Sequence, residues 1–339
     1  MDKKGSVLII SLWILTIISL FAIGLGHRSA LILKIAEYQK DRLKAYYFAR
    51  AGLQKAIAEL QKDSNGYDSL DETWSTGKDS MGRPLFKNVE IQKDSGGSFS
   101  VQYLYDRTSE MYLCMSDEER RIHINGVSDF DKRKVKILLN TLQIDNAEEL
   151  ANTMVGWMDR NSLIPYAKKQ ELTVPEELLV VFEYFYKNQG LSEYKQKAMG
   201  TYEKIKDHIS LYADNKMNIN TASEDALTIL IQAFLQINPL VPDIIDEAKR
   251  LAQRIIQARS SGIVFDKQDA TEVIAKLNSS GPPLTSTQSD IITRLLNNYL
   301  TVQSNIFRIE SIGMVNNTLR IINIIYDRQD KMILYWYEK

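Results

Sequence analysis

Three histidines, one cysteine and a handful of carboxylate clusters are the stock from which this 339-residue chain could build reactive chemistry. His27, His123 and His208 lie far apart, and no HExxH, GxSxG, Walker or GxGxxG pattern surrounds them. Cys114 stands alone, so it forms no disulfide within the chain and no thiolate metal site by itself. Enzymatic readings find no support. Two polar segments remain: Asp117-Glu118-Glu119-Arg120-Arg121-Ile122-His123-Ile124-Asn125 and Lys216-Met217-Asn218-Ile219-Asn220-Thr221-Ala222. Each reads as a short strand closing on asparagine ahead of a capped helix, which makes the pair an internal repeat. Thr221 with Glu224 fits a capping box, and Ser128 with Asp131 fits a weaker one.

The elements that must position these residues differ sharply along the chain. Ser6 to Leu25 carries no charge in 20 positions, and as a helix it spans about 30 Å, the hydrocarbon thickness of a bilayer. Lys3 and Lys4 ahead of it favour a cytoplasmic N-terminus, with His27 and Arg28 weakening the asymmetry. A cleaved signal ending near Ala22-Ile23-Gly24 shares the basic start and the apolar stretch, but such a segment is normally followed by a break. Here Leu31, Ile35, Tyr38, Arg42, Tyr46, Leu53, Ile57 and Leu60 continue at helical spacing, with no proline before Pro84. One helix from Ser6 to about Lys62 is therefore expected. Helical patterns return at Lys132–Leu142, Ala147–Met158, Pro175–Tyr186, Glu224–Leu235, Asp243–Arg259 and Lys267–Leu277. Period-2 patterns flank them at Phe99–Tyr105 and Glu110–Leu113, then at Ile306–Val315, Thr318–Asp327 and Met332–Tyr337. Asn316-Asn317 suits a tight hairpin, as does Arg328-Gln329; Gly77 to Pro84 and Asp94 to Gly97 are loop signals.

Lys4-Gly5 followed at once by an apolar helix resembles the class III leader of type IV pilins and type II secretion pseudopilins. The resemblance implies cleavage by prepilin peptidase between Gly5 and Ser6, and N-methylation of Ser6. Residue five of the mature chain is then Ile10, where most pilins carry a glutamate. A carboxylate in lipid needs a partner, thought in pilins to be the N-terminal amine of the next subunit, so a subunit lacking it fits the end of a filament. The two asparagine segments are similar to those of the K-type minor pseudopilins, the members that lack that glutamate. By this resemblance the fold is α+β and pilin-like, a long N-terminal helix, half transmembrane, packed on an antiparallel sheet with a large α-helical domain inserted between strands. The implied layout is leader 1–5, transmembrane helix 6–25, remaining helix with variable loop and first strands 26–116, inserted block 117–300, and closing strands 301–339. The implied role is capping a pseudopilus tip and nucleating its assembly, with I- and J-type minor pseudopilins, prepilin peptidase and secreted cargo as partners. Its place is the inner membrane, single-pass, with the bulk of the chain periplasmic. A type IV pilus minor pilin and a periplasmic binding protein of helix-hairpin-helix type are the alternatives.

The latter rests on Met217 to Ala222, which also resembles the opening of helix-hairpin-helix domains that bind DNA phosphate. Such hairpins need glycine for close approach of the backbone, and Gln236 to Pro242 has none. Residues 216–280 hold seven Lys/Arg and eight Asp/Glu, and the whole chain has 42 basic and 43 acidic residues, a net charge of −1; no nucleic-acid partner is expected. K-type pseudopilins also share a calcium loop after a Trp-hydrophobic-Asp segment, and Gly156-Trp157-Met158-Asp159 matches that segment. The following Arg160-Asn161-Ser162-Leu163-Ile164-Pro165-Tyr166 is not acidic, which leaves Asp159 and Asn161 as the evident oxygen ligands where calcium takes six to eight. No cofactor is expected beyond that calcium candidate. Tyr38, Tyr46, Tyr47, Tyr335, Trp336 and Tyr337 are expected to pack in cores, the last strand being covered on both faces by the helix and by the block or a partner.

Overall fold

A computed structural model describes residues 3–91, 96–104, 111–112, 114–213 and 215–339. The N-terminal helix α1 runs unbroken from Lys3 to Lys62. Its residues from Val7 to Lys40 are exposed, and Asp41 is half-buried, accepting from Asn316 Nδ2 (2.8 Å); the stripe Ala45, Phe48, Ala49, Leu53, Ala56 and Leu60 is buried. Small residues on that stripe let the helix lie close to a sheet. A Cβ placed on Gly313 would come 1.9 Å from the Ala45 carbonyl oxygen, and one on Gly52 would come 2.3 Å from the Ser311 hydroxyl. Leu31 and Ile35 keep the helical period but are exposed. The sequence periodicity thus marks a helix over its full length, although the buried apolar stripe begins only at Ala45.

After the short helix α2 (Thr73–Thr76) come strands β1 (Gly97–Leu104), β2 (Met111–Tyr112), β3 (Ser116–Asp117) and β4 (Ile122–His123). Helices α3 (Asp129–Thr141), α4 (Ala147–Met158), α5 (Glu177–Asn188) and α6 (Tyr194–Ile205) follow, then strands β5 (Ile209–Ser210) and β6 (Met217–Asn218). A second set of four helices, α7 (Glu224–Ile237), α8 (Ile244–Ser260), α9 (Ala270–Ser279) and α10 (Ser286–Asn298), precedes β7 (Leu300–Thr301), β8 (Ile306–Val315), β9 (Thr318–Asp327) and β10 (Met332–Glu338). Strands β10-β9-β8-β1-β2 form an antiparallel sheet, and β3 pairs with β8 beside β1. Tyr105, Glu110 and Leu113 of the expected early strands lie outside the described residues, as do Asp94 and Ser95.

Two cores result. One joins the α1 stripe to Trp74, Phe86, Phe99, Val101, Phe307, Ile309, Ile322, Ile324 and Tyr326 of the loop and sheet. The other lies wholly among residues Ile122 to Val302. Inside it the repeat is visible as two units of four helices, each bracketed by a parallel strand pair, β4 with β5 and β6 with β7. Asn125 closes the first unit: its Nδ2 donates to the carbonyls of Leu172 (2.8 Å) and Leu211 (2.9 Å), and its Oδ1 accepts from the Leu172 N–H (3.0 Å). Asn220 repeats this on Phe265, donating at 2.8 Å and accepting at 2.9 Å. A buried side-chain amide satisfied on both ends supports an irregular crossing that backbone pairing alone leaves open.

Several local expectations are corrected. Ser223, not Thr221, caps α7 by accepting from the Ala226 N–H, because the Thr221 hydroxyl is spent on Asp117. The Ser128–Asp131 box is complete. Val315 pairs with Thr318 across the two-residue turn, where Asn316 is left-handed (φ 50°); the second hairpin needs four residues, with Lys331 left-handed (φ 55°) in place of Arg328 or Gln329. Helices α6 and α10 were not expected, since polar residues such as Lys195, Gln196, Lys197 and Thr287, Gln288, Ser289 interrupt the apolar period.

Candidate functional site

The first candidate surface is α1 itself. Every large apolar side chain from Val7 to Leu25 is exposed, Ile10 at 57%, on a helix long and apolar enough to cross a membrane. Its polar side chains ask nothing of a solvent: the hydroxyls of Ser11, Thr16 and Ser19 donate to carbonyls of Leu8, Trp13 and Leu15 in their own helix at 2.8 Å. That satisfies them in hydrocarbon. Gly5 and Ser6 lie in the first turns of α1, and Ser6 lies outside the residues whose side chains are described.

Behind this helix, the charged run Asp117 to Arg121 forms the joint between the two cores. Asp117 is fully buried, with Oδ2 accepting from Thr221 Oγ1 (2.5 Å) and Ser304 Oγ (2.8 Å) and Oδ1 accepting from the Glu119 N–H (2.7 Å). Asp68, on the loop after α1, accepts from the Ser304 N–H (2.7 Å) and from both terminal nitrogens of Arg328 (3.0 and 2.7 Å). Asn218 ties the second repeat in, donating to the Asp68 carbonyl (3.1 Å) and Ser304 Oγ (2.7 Å). Glu118 pairs with Arg308 of β8 at 2.6 Å. Burial raises the carboxyl of Asp117. It also pushes Asp68 up to about 7, although Arg328 pulls in the other direction. Burial works against Glu118 as well, but there Arg308 and Arg121 win and hold it below the usual carboxylate range. Ser304 therefore serves two buried acids at the place where the chain re-enters the sheet.

Arg328 also reaches Asp63 (3.1 Å). Asp63, Asp68 and Glu72 form a carboxylate group with ligand atoms within 4.8 Å of one another, yet Arg328 supplies its cation, and Glu72 accepts from the Ser69 N–H (2.8 Å) and Trp74 Nε1 (3.0 Å). Sequence reading missed this group because its members fall in an irregular loop and a hairpin turn with no shared period. The joint's chemistry is ionic packing.

Asp159 and Asn161 lie together after α4. Asp159 Oδ1 accepts from the Asn161 N–H (2.9 Å), and Ser162 N–H donates to the Asp159 carbonyl (3.1 Å). This is a self-satisfied turn with two side-chain oxygens, short of the set a hard cation takes. Nearby Lys168 is paired with Glu177 at 2.7 Å, which draws Glu177 down to about 2 although partial burial opposes it. His27 is on α1, away from the other two, whereas the β4–β5 pairing sets the segments of His123 and His208 side by side, with the Ile122 N–H donating to the His208 carbonyl (2.9 Å); half-buried His123 is lowered by burial and by Lys134. Cys114 is buried, which raises its thiol.

The aromatic residues do not all pack as expected. Tyr38 (54% exposed), Tyr47 (58%), Trp336 (40%) and Tyr337 (50%) are largely open. Tyr335 is half-buried and lines, with Tyr337, a cleft of about 710 Å³ between the sheet and α5–α6; Glu176, Tyr202, Tyr212 and Arg308 are among its other wall residues.

The arrangement of a helix packed on an antiparallel sheet, with a helical block between β3 and β8, has a counterpart among solved structures. A chain of the GspK–GspI–GspJ complex from the enterotoxigenic Escherichia coli type 2 secretion system is similar to this chain, with a TM-score of 0.58 at 17% identity, over 90% of this chain and 99% of that one. The fold is pseudopilin-like. No family model and no curated protein matches the sequence. The exposed apolar part of α1 belongs to neither core, whereas its stretch from Ala45 to Leu60 belongs to the first.

Proposed function

We propose that this chain is a K-type minor pseudopilin: it is anchored by α1, joins I- and J-type partners through that helix and its head, and ends the pseudopilus at its tip. The observation that carries this is α1, fully exposed and free of any carboxylate from Val7 to Leu25, yet continuous with a helix that forms one wall of the head core. A cleaved signal would have no reason to share its helix with the core. A subunit without an acid near its N-terminus offers nothing to neutralise the amine of a subunit added above it, which supports a terminal position. The two helical repeats, tied to the head by the hydrogen bonds of the Asp68–Asp117–Ser304 joint, supply bulk there. No step of this reading calls for an enzyme, nucleotide or metal.

The test is processing. Coexpression with a prepilin peptidase should shorten the chain by the five residues before Ser6 and leave an N-methylated Ser6, read by intact mass, and Gly5→Ala should block the change. Cleavage near Gly24 instead would overturn the pilin reading.

A further inference from the structure

Strand β10 is the outermost strand of the sheet, and among the described residues it pairs with β9 alone. It reads Met-Ile-Leu-Tyr-Trp-Tyr-Glu, without proline or an internal charge, and five of its side chains are 37–53% exposed. Open edges are ordinarily guarded by charge, proline or brevity; here the one irregularity is a bulge between Ile333 and Tyr335. Both faces carry something to bind. Ile333, Trp336 and Glu338 stand opposite Tyr326, Ile324 and Ile322, residues of the α1-side core, whereas Tyr335 and Tyr337 stand opposite Ile325 and Asn323 and open into the tyrosine-lined cleft.

We infer that β10 is an acceptor edge for a strand of a neighbouring pilin-fold subunit, so that the two sheets run on as one; this rests on the pseudopilin reading above. Direction decides the occupant. Two copies meeting β10 to β10 about an axis normal to the sheet would point their α1 helices opposite ways, which two anchors in one membrane do not permit. A neighbour in the same orientation instead presents its first-strand edge. Since β10, β9, β8 and β1 alternate in direction, that edge arrives antiparallel to β10 with both N-terminal helices parallel. In this chain the β1 edge is already taken by β2 and by Val89 opposite Phe99. A second copy therefore has no open first strand to give, and the donor is a different subunit. Its strand would place alternate side chains beside Trp336 and at the mouth of the cleft.

The ladder fixes the atoms to test. Lys339 and Ile321 exchange both backbone bonds, so in an antiparallel pair the N–H groups of Trp336 and Glu338 point outward. Glu338→Pro removes one outward donor and leaves the β9 ladder intact; Glu338→Ala changes the side chain and keeps the donor. The full chain, in detergent, is used to capture coexpressed I- and J-type minor pseudopilins. Capture should fall about tenfold for Glu338→Pro, the scale of one or two interfacial backbone hydrogen bonds, and stay near wild type for Glu338→Ala. Equal capture by the two variants overturns the edge and leaves the pseudopilin reading standing. Failure of the unsubstituted chain to capture either partner overturns both.

Discussion

Gly313 holds the closest approach of α1 to the sheet. No left-handed backbone is involved there; the position is small because backbone atoms of Ala45 and Ala49 fill the space a Cβ would need. Gly313→Ala should therefore cost about 3 kcal/mol as overpacking against atoms that cannot rotate away, seen as a lowered melting temperature, whereas Gly200→Ala, with open space around it, should not destabilise. Asp68 makes a second residue-scale prediction. Its carboxyl lies at about 7 in the folded chain against an ordinary 3.8, so between those values the folded state holds a proton that the unfolded state has released. Its contribution to stability is thus fully present below about 4 and is lost as pH rises through about 7. Asp68→Asn should flatten the dependence of melting temperature on pH across that window. A wild-type profile no steeper than that of the variant would show that Arg328 keeps Asp68 charged throughout.

At the scale of elements, α1 does two jobs along one axis. From Ala45 to Leu60 it is a core helix. From Val7 to Leu25 it is an exposed helix, apolar and long enough to cross a membrane, whose hydroxyls are satisfied internally, and about 30 Å of stem separates the two parts. Ile10 belongs to the apolar part. Ile10→Glu should leave membrane insertion and head folding intact but bring no gain in secretion or in incorporation into the fibre, because the added acid is buried without a partner at a cost of several kcal/mol. A clear gain would place the subunit within the filament. Caps show how elements trade residues. Ser223 starts α7 because Thr221, two residues earlier, is engaged by Asp117 from another part of the chain. A local rule gave way to a buried carboxylate that needed its donors.

For the whole molecule, the chain leaves the sheet at Asp117 and returns at Ser304, and those two residues are hydrogen-bonded to each other. The inserted piece thus begins and ends at one point, with its own core of two repeats. Excising it, with Met115 rejoined to Ile306 through a short linker, should leave a smaller head still packed on α1, since the residues of the α1-side core lie outside the excised piece. Membrane insertion should survive, and control of pseudopilus length should be lost. Unchanged secretion and unchanged length would remove the capping role from the block.

The length of α1, its apolar run and the β8–β9 hairpin were legible in the sequence because each depends on local periodicity or turn chemistry: an unbroken apolar stretch, alternation from Ile306 to Val315, and Asn316 suited to a left-handed turn. The asparagine repeat was legible as a pattern. Its purpose was not, since Asn125 and Asn220 act on the backbones of Leu172 and Phe265, each more than forty residues away. Only the tertiary structure assembled the joint, where Asp68, Asp117, Ser304 and Arg328 meet from four separate segments, and only it showed that Trp336 and Tyr337 remain open at the sheet's edge. Periodicity fixes which face of an element is apolar; what lies against that face is set by how distant elements share a limited supply of buried donors and space.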